Sequence, residues 1–101
     1  MNLLSFYVSE KHHHAGMPLY AWLLEQAKSQ GISGGSAFRS IAGFGRHGRM
    51  HEDTFFELAG ELAVKVEFIM DEAQTEKLLD TLHSADMKML YTFQKIEVAQ
   101  I

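Results

Sequence analysis

The chain contains no cysteine and only one proline. The first absence excludes disulfide cross-links, thiolate nucleophiles and cysteine-ligated zinc. The second leaves few forced breaks in helix or strand. No apolar run approaches the roughly 18 residues of a membrane-spanning helix, so direct membrane insertion is not expected. A formal net charge of −4 spreads no basic field over the molecule, which argues against nucleic-acid binding. Residues Met1 to Val8 lack a basic stretch and a small-residue cleavage site, so no secretory signal is expected and the cytoplasm is the simplest address. With 47% apolar and 22% charged residues in 101, the composition is that of a single domain, 1–101, with a limited core.

Basic character is local. Gly43-Phe44-Gly45-Arg46-His47-Gly48-Arg49-Met50-His51 packs three glycines, two arginines and two histidines into nine residues between apolar stretches. Glycine lets a backbone approach a ligand closely, and arginine offers a planar cation suited to phosphate or carboxylate. The segment reads either as a solvated hairpin tip or as an anion-binding loop. Arg39 interrupts an otherwise apolar strand just before it. A buried arginine needs a paired anion, so Arg39 is expected at a sheet edge or facing a ligand or subunit.

Apolar periodicity orders the rest. Leu3 to Glu10 alternates as a strand with apolar residues on both faces, followed by a polar loop, residues 11–16. Pro18 suits the first turn of a helix that carries Leu19, Leu23 and Ala27 on one stripe and stops at Gly31. Trp22 and Tyr20 read as core or interface. Ser33 to Ser36 reads as a turn into a second strand, Ala37–Phe44. A loop with one turn of helix is expected before Leu62–Met70, the clearest strand, whose alternate residues Leu62, Val64, Val66, Phe68 and Met70 share a face. Asp71, with Gln74 three residues on, marks the start of a second helix whose apolar side is Leu78, Leu79 and Leu82. A last strand is expected from Lys88 to about Val98, with Met89, Tyr91 and Phe93 on one face.

The order β-α-β-β-α-β predicts an α+β, ferredoxin-like sandwich: a four-stranded antiparallel sheet with two helices on one face. Large apolar residues on both faces of the first and last strands predict that other copies of the chain cover the open face, most economically in a cyclic oligomer.

Gly43-Phe44-Gly45-Arg46, followed by Gly48 and His51, resembles the start of the T-loop of PII signalling proteins. Met17-Pro18-Leu19-Tyr20, Gly34-Gly35, Ile41-Ala42, Met50-His51, Ile69-Met70-Asp71, Lys77-Leu78-Leu79 and Leu90-Tyr91-Thr92 extend the likeness to an uncharacterised PII-like branch, the domain-of-unknown-function 190 family, over nearly the whole chain. The resemblance implies a homotrimer. It also implies an adenine nucleotide, or a related small anion, bound between subunits, and a regulated partner such as a membrane transporter; relatives in this branch are often associated with fluoride exporters. By position, Gly43, Phe44, Gly45 and Arg46 would form the loop base and one wall of the cleft, with Arg39, Arg49 and His51 adding charge. The phosphate-gripping, glycine-containing loop of PII proteins has no match in residues 83–88. Lys88 is the only cation there, Asp86 would repel phosphate, and no tyrosine follows Arg46 in the loop.

Two other classes are weighed. A metal-binding trimer of the cation-tolerance type would use imidazoles of the histidine-rich loops, His12 and His14 first. Catalysis finds no support in spacing: His51 beside Glu52 and Asp53 is the one local acid–base cluster, without an arranged nucleophile, and no catalytic residue is assigned.

Overall fold

The computed structural model describes residues 1–43 and 63–101. In chain order these form strand β1 (Asn2–Ser9), two short strands β2 (His13–His14) and β3 (Met17–Pro18), helix α1 (Leu19–Ser29), strand β4 (Gly35–Arg39), strand β5 (Ala63–Met70), helix α2 (Glu72–Ser84) and strand β6 (Leu90–Lys95). The main sheet has the order β4-β5-β1-β6, with every neighbouring pair antiparallel. Each helix therefore carries the chain past one intervening strand, and the two β-α-β units interleave. This is the ferredoxin-like arrangement expected from the element order, apart from the β2–β3 hairpin inserted before α1.

Period-two alternation decides which residues make the core. The β1–β5 register sets Leu4 opposite Phe68, Phe6 opposite Val66 and Val8 opposite Val64, and all six are buried. Leu19, Leu23 and Ala27 of α1 and Leu78 and Leu82 of α2 complete the same cluster, so both helices cover one face. Leu79, expected on the apolar side, packs at the margin of that cluster. At its far end the core holds a polar knot: Asn2, fully buried, donates from Nδ2 to Thr75 Oγ1 at 3.0 Å, and Thr75 donates to the Asp71 carbonyl at 2.8 Å.

Local chemistry sets the helix ends. Asp71 caps α2 with a reciprocal box: its carboxylate accepts from the Gln74 amide and the Gln74 side chain accepts from the Asp71 amide. Helix α1 closes on Gly31, whose φ of 83° an L-residue resists. Gly31 N–H bonds the Lys28 carbonyl, and Ile32 N–H bonds that of Ala27, which drops Ile32 into the core. Helix α2 ends the same way, on Asp86 at φ 56°, with the Met87 amide bonded to the Leu82 carbonyl.

Four expectations shift. Residues 13–18 form a tight hairpin rather than a loop, turning at Ala15 and Gly16 with φ of 54° and 81°. Both central residues in positive φ is the hairpin geometry that Asn-Gly usually signals, and Ala-Gly hides it. Pro18 pairs with His13 and precedes the helix as its N-cap instead of entering the first turn. Strand β4 starts at Gly35, inside the expected turn, and ends at Arg39 rather than Phe44. Beyond the Ser40 amide bond to the Ala63 carbonyl, the Ser40 hydroxyl donates to the Ala42 carbonyl, a local bond that competes with the ladder. Strand β6 stops at Lys95, short of the expected Val98: its register with β1 ends at the Asn2–Lys95 pair, and the Ile96 amide bonds the Met1 carbonyl. The expected turn of helix in the 43–60 loop lies outside the described residues.

Candidate functional site

Strand polarity gathers the chemically interesting segments at one end of the sheet. Strands β1 and β4 end there, and β5 and β6 begin there. The histidine hairpin, both roots of the glycine–arginine loop and the turn holding Lys88 consequently emerge from the same end. The rung between Ser40 and Ala63, 2.8 Å long, closes the base of the loop.

Arg39 is the last residue of β4, paired in register with Val64. Strand β4 is an outer strand, which is how an arginine is tolerated in an apolar run: its side chain is 63% exposed. Nη2 lies 3.4 Å from Oε1 of Glu10, the first residue after β1. Gly43 is exposed. Phe44, Gly45, Arg46, Arg49 and His51 lie outside the described residues. Lys88 is exposed in the turn between Asp86 and β6. Strands β4 and β6 are the two outer strands, so three strand spacings of about 4.8 Å separate Arg39 from the Lys88 side, roughly 14 Å. Within one chain the two cations sit at opposite edges of the same end and do not meet on one small anion.

The histidines are spread by the hairpin. His14 turns inward, its ring centroid 4.5 Å from that of Trp22 in an edge-on contact. His13 donates from Nδ1 to the Lys11 carbonyl at 2.9 Å, and the His12 carbonyl accepts from the Leu19 amide at the start of α1. Among the described residues no three histidine, aspartate or glutamate side chains gather as metal ligands would. Trp22, read from the sequence as core or interface, is partly buried and serves as the platform for His14.

The sheet face away from the helices carries four cross-strand rows. Ser9 and Ala63 form the short row nearest the loop end, followed by Phe38, Lys65, Tyr7 and Leu90, then by Ser36, Glu67, Ser5 and Thr92. Ile69, Leu3 and Gln94 make the fourth. Lys65 lies 5.4 Å from the Phe38 ring centroid and 3.2 Å from the Glu67 carboxylate. Phe38 is 49% and Ile69 43% exposed. Tyr91 and Phe93, also exposed, belong to the other face, since they pair with the buried Phe6 and Leu4 at an outer strand. Apolar surface is thus open on both sides of the sheet.

Sequence reasoning missed Glu10 as the partner of Arg39. The two residues are far apart in the chain and meet only because β1 and β4 flank β5. Among the described residues one carboxyl is shifted, at the opposite end: a hydrogen bond from Lys95, 2.9 Å away, then one from Asn2, hold the Glu72 carboxyl below the ordinary glutamate range. No helix among the described residues is long and apolar enough to cross a membrane.

Comparison with known proteins agrees with the family read from the ordered motifs. The family model described as "DUF190: Uncharacterized ACR" matches residues 1–98. A "UPF0166 protein" of Aquifex aeolicus (strain VF5) is 33% identical over 96 residues, covering 95% of this chain and 90% of the relative. With a match over nearly the whole of both chains, the chain belongs to the DUF190 family.

Proposed function

We propose that this chain is a PII-like regulatory protein, acting in the cytoplasm as a homotrimer. It binds a small anion of the adenine-nucleotide class between subunits and acts on a partner protein, such as a transporter, through the 43–60 loop. The observation that carries this reading is the position of Arg39 at the end of β4 and of Lys88 in the turn before β6, at opposite edges of one end of the sheet. A cleft that uses both needs the β4 edge of one copy beside the β6 edge of the next. Cyclic assembly supplies that neighbour and also covers the exposed apolar residues. Glycine amides at Gly43 and Gly45, with the Arg46 guanidinium, provide donors for phosphate oxygens at the loop base. The reading assigns binding and relay, with no catalytic residue.

A thermal-shift panel tests it, run on the purified chain at known oligomer size with AMP, ADP, ATP, bicarbonate, fluoride and divalent cations. A ligand at about a hundred times its Kd adds roughly 2.7 kcal/mol to the bound state. The expected result is a nucleotide-dependent shift that Arg46→Ala abolishes while unliganded stability stays unchanged, because a loop arginine has little core to lose. A shift with zinc or copper alone, lost in His12→Ala and His14→Ala, would replace this reading with metal binding. Loss of assembly in Arg46→Ala would also count against it.

A further inference from the structure

The geometry points to Glu10 as an internal competitor for the ligand's anionic group at Arg39, and so as the residue that sets how much negative charge a ligand needs. This rests on the nucleotide-class reading above. Arg39 is the only cation within the described part of β4, and it borders the rung that closes the loop base. Its guanidinium already faces a carboxylate before any ligand arrives. Reaching that carboxylate requires the two side chains to span the end of β5, since their backbones stand two strand spacings, about 10 Å, apart.

The contact is of the kind that a ligand can displace. At 3.4 Å it is longer than the 2.7–2.9 Å of a tight charge-assisted hydrogen bond, and Arg39 is largely in water. A phosphate offers several oxygens to a guanidinium fork with five N–H donors, whereas a neutral ligand offers no charge to exchange for Glu10. Glu10 therefore lowers the affinity for a ligand whose anionic group must displace it from Arg39, and leaves unchanged that of an uncharged ligand.

Calorimetric titration with ADP, and with adenosine as the uncharged control, tests this on the intact protein and on Glu10→Gln, Arg39→Gln and the double variant at one fixed salt concentration. An exposed ion pair of this kind is equivalent to about a two- to fivefold change in affinity. The expected result is a two- to fivefold lower Kd for ADP in Glu10→Gln, no change for adenosine, and no effect of Glu10→Gln once Arg39 is Gln. An equal gain in the Arg39→Gln background would show a general charge effect and overturn the inference. So would ADP binding that Arg39→Gln weakens but Glu10→Gln leaves unaltered, with the nucleotide reading intact. ADP binding indifferent to Arg39→Gln would likewise remove Glu10 from the site. Absence of ADP binding to every form would overturn the inference and the nucleotide reading together.

Discussion

Two single residues carry requirements that their neighbours do not share. Gly35 sits opposite Phe68 across the β4–β5 pair, and a Cβ built on it would overlap the Phe68 ring and come within 3.2 Å of Leu24. Phe68 is fully buried and cannot swing into solvent. Gly35→Ala should therefore cost about 1–3 kcal/mol, as overpacking a core does. Chemical denaturation would show it as a lower midpoint at unchanged slope, and an unaltered midpoint would mean the ring has room to move. Asp86 presents the opposite case, a side chain where glycine belongs. Relief of a left-handed L-residue is worth about 1–2 kcal/mol, against roughly 0.4–1 kcal/mol lost to the freer unfolded chain. Asp86→Gly should then raise stability by about 0.5–1 kcal/mol and remove a negative charge from the C-terminal end of α2. Thermal unfolding checks the sign.

At the scale of elements, α2 is tied to the sheet at its start and to the basic end at its finish. Its start is held by the Asp71 cap and by Glu72, which accepts from Lys95 of β6 and from Asn2 of β1. Because these partners favour the charged carboxylate, the folded state holds the Glu72 proton less tightly than the unfolded chain does. The stabilisation is complete above the ordinary glutamate range and disappears as pH falls through the lowered folded value. The melting-temperature difference between the protein and Glu72→Gln should be greatest near neutrality and vanish in acid. A pH-independent difference would show that the carboxylate's charge has no part in joining α2 to β6. The effect should also shrink with salt, since the pair is exposed.

At the scale of the whole molecule, the helices cover one face of the sheet, and the other presents Phe38 and Ile69 beside Leu3, Tyr7 and Leu90. A face of this kind in water favours association. Ile69 lies in the row farthest from the loop end, so replacing it leaves Arg39 and Ser40 untouched. Ile69→Lys should convert the proposed trimer to single chains, read as molar mass by light scattering, while the circular dichroism stays that of the folded protein. Persistence of the assembly would move the interface to the outer-strand aromatics Tyr91 and Phe93. The same experiment bears on the proposed cleft, because a single chain keeps Arg39 and Lys88 apart.

What the residues decided alone is what depends on near neighbours. Alternation marked Val64, Val66, Phe68 and Met70 as one buried face, four-residue spacing marked Leu19, Leu23 and Ala27, and Asp71 with Gln74 marked a helix start. Each signal is contained within one or two turns or a few strand residues, where backbone geometry sets the period. The fold class followed from the order of these elements. Limits set by non-local partners were not legible. The end of β6 is set by its register with β1, and Gly35 joins β4 because it pairs with Phe68 of β5, whose ring fills the space a side chain would take. The hairpin of residues 13–18 escaped because Ala15 accepts a backbone conformation that its identity argues against. At the candidate site, the sequence named Arg39 and Lys88 as cations. Only the strand order set them on opposite edges of one end and brought Glu10 to Arg39, because side chains distant in the chain meet only once hydrogen-bonded ladders have chosen their neighbours.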